Sequence, residues 1–180
     1  MARVGPEFAE MYGLFPDPDG APHTVAVPED QVPAPYTGLL VHHHHMTVTV
    51  EVFYRSPVRV LVMESTRREQ TYCRKILLQS IRDNRIVQFG LVRINLDYCS
   101  PEVAAAIVGE KTPLGRVLIE HGVLTSVQPT GYLRVEPNAC MRQWFGMSEP
   151  EVTYGRIGVI LCDAKPAIEM LEILSPVRLP

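Results

Sequence analysis

The sequence lacks the features that mark several large classes of protein. No apolar run approaches the roughly 20 residues that a membrane-spanning helix needs, and the first residues lack the apolar segment of a signal peptide. The chain has no Gly-x-Gly-x-x-Gly motif and no phosphate-loop motif, so these nucleotide-binding signatures are missing. We therefore expect a cytoplasmic protein that has no membrane partner.

Paired cysteines and an excess of basic residues are also missing. The four cysteines are scattered, and no two of them have the Cys-x-x-Cys spacing of redox and zinc motifs. Free, buried thiols in a reducing compartment are the expected outcome. The net charge of −3 does not fit the basic surface of a nucleic-acid-binding protein. We expect no nucleic-acid partner.

The composition indicates one globular domain with an uneven start. The 180 residues, 46% of them hydrophobic, are enough for a substantial core. Residues 1–40 are rich in Pro, Gly and Asp, which predicts an extended N-terminal arm on the surface. Residues 41–180 are denser in apolar side chains and form the predicted folded domain.

Strand and helix signals predict an α+β fold with a single antiparallel sheet of about six strands. The predicted strands are 58–63, 72–78, 86–94, 131–135, 156–161 and 167–174. Helices are predicted near 103–108, with Ser100 as N-cap, and near 114–121, with Thr112 as N-cap. Residues 46–52 alternate Val and Thr, which favours a strand, but the histidines before them have no preference.

Charged residues inside apolar strands are the candidates for chemistry. Arg74 and Arg93 each interrupt a strand, and a guanidinium suits a planar carboxylate because it offers a bidentate fork. Glu169 and Glu172 interrupt the last strand, and their odd spacing places them on opposite faces. A carboxyl group in an apolar wall can act as a general acid. From the residues alone, a solvent-facing charge is the more common arrangement for each of them.

The run His42–His45 suggests metal binding but lacks a supporting motif. Neighbouring histidines bind nickel or zinc weakly, whereas a defined metal site needs ligands held at fixed distances. No His-Glu-x-x-His pattern accompanies the run. We expect no catalytic metal here, although one of these histidines could line the mouth of a pocket.

The order of several segments resembles the chorismate pyruvate-lyase (4-hydroxybenzoate synthase) family. The resemblance spans about residues 40–176, and the Thr-Pro-Leu-Gly-Arg stretch is its strongest part. The segments that carry it are Met46-Thr47, Tyr72–Leu78, Lys111–Leu118, Lys165-Pro166 and Glu172–Pro176.

The resemblance implies a six-stranded antiparallel sheet whose helices cover a buried ligand pocket. It implies a lyase of aromatic acid biosynthesis that eliminates pyruvate from chorismate, or a close relative of this reaction, without a metal or organic cofactor. By the same resemblance Arg74 would hold the ring carboxylate, Met46 would cover the pocket and Leu114 would form its wall. Glu172 would donate a proton to the departing enolpyruvyl oxygen.

Two alternatives accompany this prediction. The spacing from Lys165-Pro166 is one residue longer than the family pattern, so Glu172 requires a bulge in the strand, and Glu169 is the alternative acid. The second alternative is a non-enzymatic module that binds a small aromatic acid, because effector domains of some transcription regulators resemble this fold. Such domains follow a helix-turn-helix, which the Pro-rich residues 1–40 are not expected to form.

Overall fold

The computed structural model describes residues 6–177, and seven strands within them form one antiparallel sheet. The strands are β1 (His23–Val27), β2 (Val58–Arg68), β3 (Thr71–Ser80), β4 (Ile86–Asn95), β5 (Thr125–Glu136), β6 (Thr153–Cys162) and β7 (Lys165–Leu174). Their order across the sheet is β1-β5-β6-β7-β4-β3-β2. The five strands β3, β4, β5, β6 and β7 are therefore interior, with neighbours on both sides.

Helices cover both faces of this sheet. They are α1 (Pro6–Tyr12), α2 (Tyr36–Leu40), α3 (Met46–Tyr54), α4 (Pro101–Val108), α5 (Leu114–Glu120) and α6 (Ala139–Trp144), with short 3-10 turns at Glu29–Gln31 and Leu96–Tyr98. One face packs against α1 and α6 around Phe89 and Leu171. The other face packs against α2, α3, α4 and α5 around Leu78 and Met170. Side chains alternate between the two faces along each strand. Apolar residues occupy both sets of positions, so the sheet has a hydrophobic core on each face.

The prediction of an α+β fold with a single antiparallel sheet is confirmed. The sheet has seven strands instead of about six because β1, from the Pro-rich start of the chain, pairs with β5. This part of the chain also differs from the predicted extended surface arm. Phe8, Met11 and Phe15 are at most 6% exposed and belong to the core on the α1 face. A domain boundary at residue 40 stays a prediction.

Residues 46–52, which alternate Val and Thr, lie in helix α3 and not in a strand. Met46, Val50 and Tyr54 are four residues apart, so a helix places them on one face. Met46 and Val50 are 2% and 0% exposed, and Val52 is exposed. The free energy gained by burying this face outweighs the weak strand preference of the valines and threonines.

The two helix starts near the predicted pocket differ in their caps. The Ser100 hydroxyl accepts a hydrogen bond from the Val103 backbone N–H, which confirms the predicted N-cap of α4. Helix α5 starts at Leu114, and its N-cap position is Pro113 instead of the predicted Thr112, with no side-chain cap.

A buried ion pair ties the N-terminal segment to the sheet. The Lys75 ammonium on β3 lies 2.8 Å from Asp17 Oδ1 and 2.6 Å from Glu64 Oε1. The side chains of Lys75 and Asp17 are 4% and 3% exposed, and Tyr12 donates a hydrogen bond to the same Asp17 carboxylate. Since an unpaired buried charge is costly, each partner depends on the other.

We predict that Lys75→Met destabilises the protein by about 3–5 kcal/mol, because it leaves Asp17 as a buried carboxylate without a cation. Urea unfolding followed by far-UV circular dichroism measures this loss. The double variant Lys75→Met/Asp17→Leu should recover much of the stability, since no charge is then left unpaired. Equal stability of Lys75→Met and the wild type would contradict this account of the ion pair.

Candidate functional site

A cavity lies between the centre of the sheet and the starts of helices α3 and α5. Its floor is formed by side chains of the interior strands, and its roof includes residues from both helix starts. The walls are mainly apolar, with Ile76, Leu78, Val92, Ile160 and Met170. Six polar or charged side chains interrupt this apolar lining: His45 and Thr47 at the start of α3, and Arg74, Gln88, Arg156 and Glu172 on the strands. An apolar pocket with a few convergent polar groups is the usual form of a small-molecule site.

All four site residues predicted from the sequence line this one cavity. Met46 begins α3, Arg74 lies on β3, Leu114 begins α5 and Glu172 lies on β7. Met46 and Glu172 are 126 residues apart in the sequence, and only the folded chain brings the four residues together. Their contact with a ligand stays a prediction, which is taken up below.

Close packing of α3 and α5 closes the roof. A Cβ atom added at Gly115 would lie 2.9 Å from His45 Cβ and 3.1 Å from Thr47 Oγ1. Only glycine therefore lets the first turn of α5 approach the start of α3 this closely. The Pro-Leu-Gly stretch thus places Leu114 and Met46 side by side over the cavity.

Arg74 is a buried cation with unused hydrogen-bond donors. The residue is 1% exposed, and its Nε and Nη1 atoms have no hydrogen-bond partner among residues 6–177. Burial lowers the pKa of Arg74, and the neighbouring Tyr72 and the Glu110 carboxylate oppose this shift. One oxygen of the Glu110 carboxylate, Oε1, already accepts a hydrogen bond from the Tyr72 hydroxyl at 2.6 Å. Arg74 therefore keeps donor capacity for an anion.

Arg156 is also fully buried, but its guanidinium is extensively hydrogen-bonded. Its Nε donates to Glu172 Oε2 at 2.7 Å. Its two terminal nitrogens donate to the backbone carbonyls of Leu40, His42 and His44 at 3.0–3.2 Å. Arg156 thus joins β6, β7 and the loop before α3 at one edge of the cavity.

The histidine run is part of this loop and is held through hydrogen bonds. His43 Nδ1 lies 2.9 Å from the Val127 carbonyl, and His45 Nε2 lies 2.9 Å from Thr125 Oγ1. No cluster of three His, Cys, Asp or Glu side chains suited to a metal occurs in the part of the chain that the structure describes. His45 itself lines the cavity, so the run closes one side of the site.

Glu169 and Arg93 lie on the opposite face of the sheet from the cavity. Arg93 forms ion pairs with Glu169 and with Glu10 of α1. Strand β7 carries an extra residue opposite β6, since Ile168 pairs with Ile160 while Pro166 pairs with the next residue, Leu161. This bulge reverses the facing of the residues that follow, which places Glu172 at the cavity.

Sequence reasoning missed two cavity residues, Arg156 and Gln88. Each is a polar residue flanked by mainly apolar residues in a strand, the same signal that singled out Arg74. Both are at most 2% exposed. Placing them on the cavity face requires the strand register, which the sequence does not show.

Comparisons with known proteins support a shared fold. No family model and no curated protein sequence matches the chain. The effector domain of PhnF from Mycobacterium smegmatis superimposes with a TM-score of 0.50 at 9% identity, covering 78% of this chain and 94% of that chain. A structure of PhnF from the same organism gives 0.49 at 9% identity, with 78% and 67% coverage. A GntR-family transcriptional regulator from Bacillus cereus gives 0.45 at 12% identity, with 68% and 96% coverage.

The comparisons correct the predicted activity. The solved structures reported above are PhnF, its effector domain and a GntR-family transcriptional regulator, and their fold is related to that of chorismate lyase. They contradict the predicted chorismate pyruvate-lyase, its pyruvate and 4-hydroxybenzoate products and its assignment as an enzyme. The proton-donor role expected for Glu172 depended on that activity. In the structure its carboxylate forms an ion pair with Arg156. Within residues 6–177 no helix is long and apolar enough to cross a membrane.

Acid should destabilise the loop that closes the cavity. Burial and the nearby Arg156 lower the pKa of His42, against the effect of its hydrogen bond to Leu39. The folded protein thus favours neutral His42, while the unfolded chain takes up a proton near pH 6.5. This contribution to stability is complete above about pH 6.5 and is lost as the pH falls through the folded-state pKa.

We predict that the free energy of unfolding falls between about pH 7.5 and about pH 5.5, and that His42→Gln reduces this fall. Urea titrations at the two pH values measure it. His121→Gln, at an exposed histidine after α5, is the matched control and should keep the full wild-type fall. An unchanged fall in His42→Gln would show that His42 does not carry the effect.

Proposed function

We propose that this protein is a non-enzymatic binding module for a small organic acid, and that the cavity is its ligand site. The observation that carries the proposal is Arg74, a buried guanidinium whose Nε and Nη1 lack partners among the described residues. Arg74 binds the ligand carboxylate, while Met46 and Leu114 contact the apolar body of the ligand from above.

The energetics of burial favour an anionic ligand. Removing a charge from water costs several kcal/mol unless another charge or several hydrogen bonds compensate it. A carboxylate compensates a guanidinium well because its two oxygens accept two parallel N–H bonds. The unused Nε of Arg74 belongs to the edge of the guanidinium that forms such a pair. Ligand binding would therefore satisfy Arg74.

The charges around the cavity favour a single carboxylate. Glu172 and Arg156 form an ion pair at 2.7 Å and offset each other, which leaves Arg74 as the charge for the ligand. A second carboxylate directed towards Glu172 would be repelled. Apart from His45, Thr47 and Gln88, the remaining lining is apolar, which suits an aromatic or alicyclic ring. The class of ligand that fits is a ring-containing monocarboxylic acid.

Glu172 acts in this site by positioning. Its carboxylate accepts a hydrogen bond from Arg156, and Arg156 in turn holds the backbone carbonyls of His42 and His44. Replacing Glu172 would leave a fully buried guanidinium with backbone acceptors alone. The shape of the loop that carries His45 and leads into Met46 thus depends on Glu172.

We predict that Arg74→Met both weakens acid binding and stabilises the ligand-free protein. Benzoate affinity should fall by about 10- to 100-fold, as expected for lost hydrogen bonds to a charged group. The midpoint of urea unfolding without ligand should rise, because an unpaired buried cation is replaced by an apolar side chain. Isothermal titration calorimetry with benzoate, and with the neutral benzamide for comparison, measures the affinity.

Arg93→Met is the matched control for this experiment. Arg93 lies on the neighbouring strand, opposite Cys73 in the register, and faces the other side of the sheet. The control should retain wild-type benzoate affinity. Wild-type affinity in Arg74→Met, or failure of the wild-type protein to bind any ring-containing monocarboxylate, would contradict the proposed function.

A further inference from the structure

Gln88 presents a second unsatisfied group at the cavity. Its side chain lies on β4 and lines the cavity, and the residue is 2% exposed. The Oε1 atom has no hydrogen-bond partner among the residues that the structure describes. The other end of the amide, Nε2, donates to Glu172 Oε1 at 3.4 Å. Most buried polar side-chain atoms have a hydrogen-bond partner, so this oxygen requires an explanation.

Glu172 determines which way the Gln88 amide points. An ionised carboxylate only accepts hydrogen bonds, so it favours the NH2 group of the amide on its side. The reverse orientation would place two acceptors against each other. The carbonyl oxygen of Gln88 therefore points away from Glu172 and needs a hydrogen-bond donor from another group.

The oxygens of Glu172 already have donors. Oε2 accepts from Arg156 Nε, and Oε1 accepts from Gln88 Nε2. Gln88 Oε1 is the acceptor at this end of the cavity that has none within the described residues. A ligand donor therefore gains most by pairing with Gln88.

Arg74 and Gln88 stand at opposite ends of the cavity floor. Arg74 pairs in register with Val92 of β4, four residues from Gln88, which separates the two positions by about 14 Å along the strand direction. Midway lies Gly90, where an added Cβ atom would come within 3.1 Å of Ile76 Cδ1. Ile76, which pairs with Gly90, itself lines the cavity. The floor between the two polar ends is therefore apolar, which suits the ring of an organic acid.

We propose that the ligand carries a hydrogen-bond donor, a hydroxyl or amino group, on the side of its ring away from the carboxylate. The donor pairs with Gln88 Oε1, which makes Gln88 a specificity-determining residue. This inference rests on the proposed function, because the carboxylate bound to Arg74 sets the direction of the ring. It adds a requirement that the charge of Arg74 alone does not impose.

The test compares acids that differ only in the donor. Calorimetric titrations use 3- and 4-hydroxybenzoate against 3- and 4-fluorobenzoate, whose fluorine is close to a hydroxyl in size and has no proton to donate. The wild-type protein should bind the better hydroxy acid about tenfold more tightly than its fluoro counterpart. Gln88→Met, which keeps an unbranched side chain of similar length, should abolish that preference.

Gln79→Met is the matched control. Gln79 lies on β3, and its amide bonds Arg59 and the Asn84 carbonyl away from the cavity. This variant should keep the wild-type preference. The Gln88→Leu variant repeats the test if Gln88→Met does not fold.

Each outcome separates the inference from the proposed function. Equal affinity of the wild-type protein for hydroxy and fluoro acids would overturn the inference, with water satisfying Gln88, while the binding itself would uphold the acid site. A preference that persists in Gln88→Met would overturn the assignment to Gln88. Failure of all four acids to bind would overturn the proposed function and this inference together.

Discussion

The hydrogen-bonded guanidinium of Arg156 is the interaction on which the site depends. It is fully buried, and it links β6 to the Glu172 carboxylate of β7. It also links β6 to the Leu40 carbonyl at the end of α2 and to the carbonyls of His42 and His44 in the loop before α3. A backbone carbonyl that packs against a buried side chain needs a donor, because an unpaired buried carbonyl costs free energy. One side chain supplies those donors and is itself compensated by Glu172. The sheet, the loop and the roof of the cavity are held together in this way.

The two buried guanidiniums, Arg156 and Arg74, differ in their hydrogen bonding, and this difference distinguishes a structural role from a ligand-binding role. Arg156 has partners for all three of its nitrogens, whereas Nε and Nη1 of Arg74 lack them among the described residues. A protein selected for stability alone would fill the position of Arg74 with an apolar side chain. Functional sites are where folded proteins carry such uncompensated groups. The cavity therefore combines a stable frame with a recognition group, which is the arrangement expected of a binding module.

Much of the fold followed from local patterns, and the failures have physical causes. Apolar strands between short turns predicted the antiparallel sheet, and Ser100 predicted the start of α4, because both signals are local. The segment from Met46 to Tyr54 forms a helix because this places Met46 and Val50 on one face, where both are buried. The residues that cover this face are distant in the sequence, so the local pattern did not show it. The N-terminal residues packed into the core for the same reason, since Phe8 and Met11 meet strands far along the chain. The activity implied by resemblance was wrong because one fold serves different functions.

By itself, the sequence determined which residues could matter: the charged side chains placed in apolar strands, such as Arg74 and Glu172, and the Thr-Pro-Leu-Gly-Arg stretch that contains Leu114. Only the tertiary structure decided which of them share a cavity. Strand register and the bulge before Ile168 set the facing of Glu172, and pairing across strands set the distance from Arg74 to Gln88. The reason is that facing alternates with every residue of a strand, so a single extra residue moves a side chain from one face of the sheet to the other.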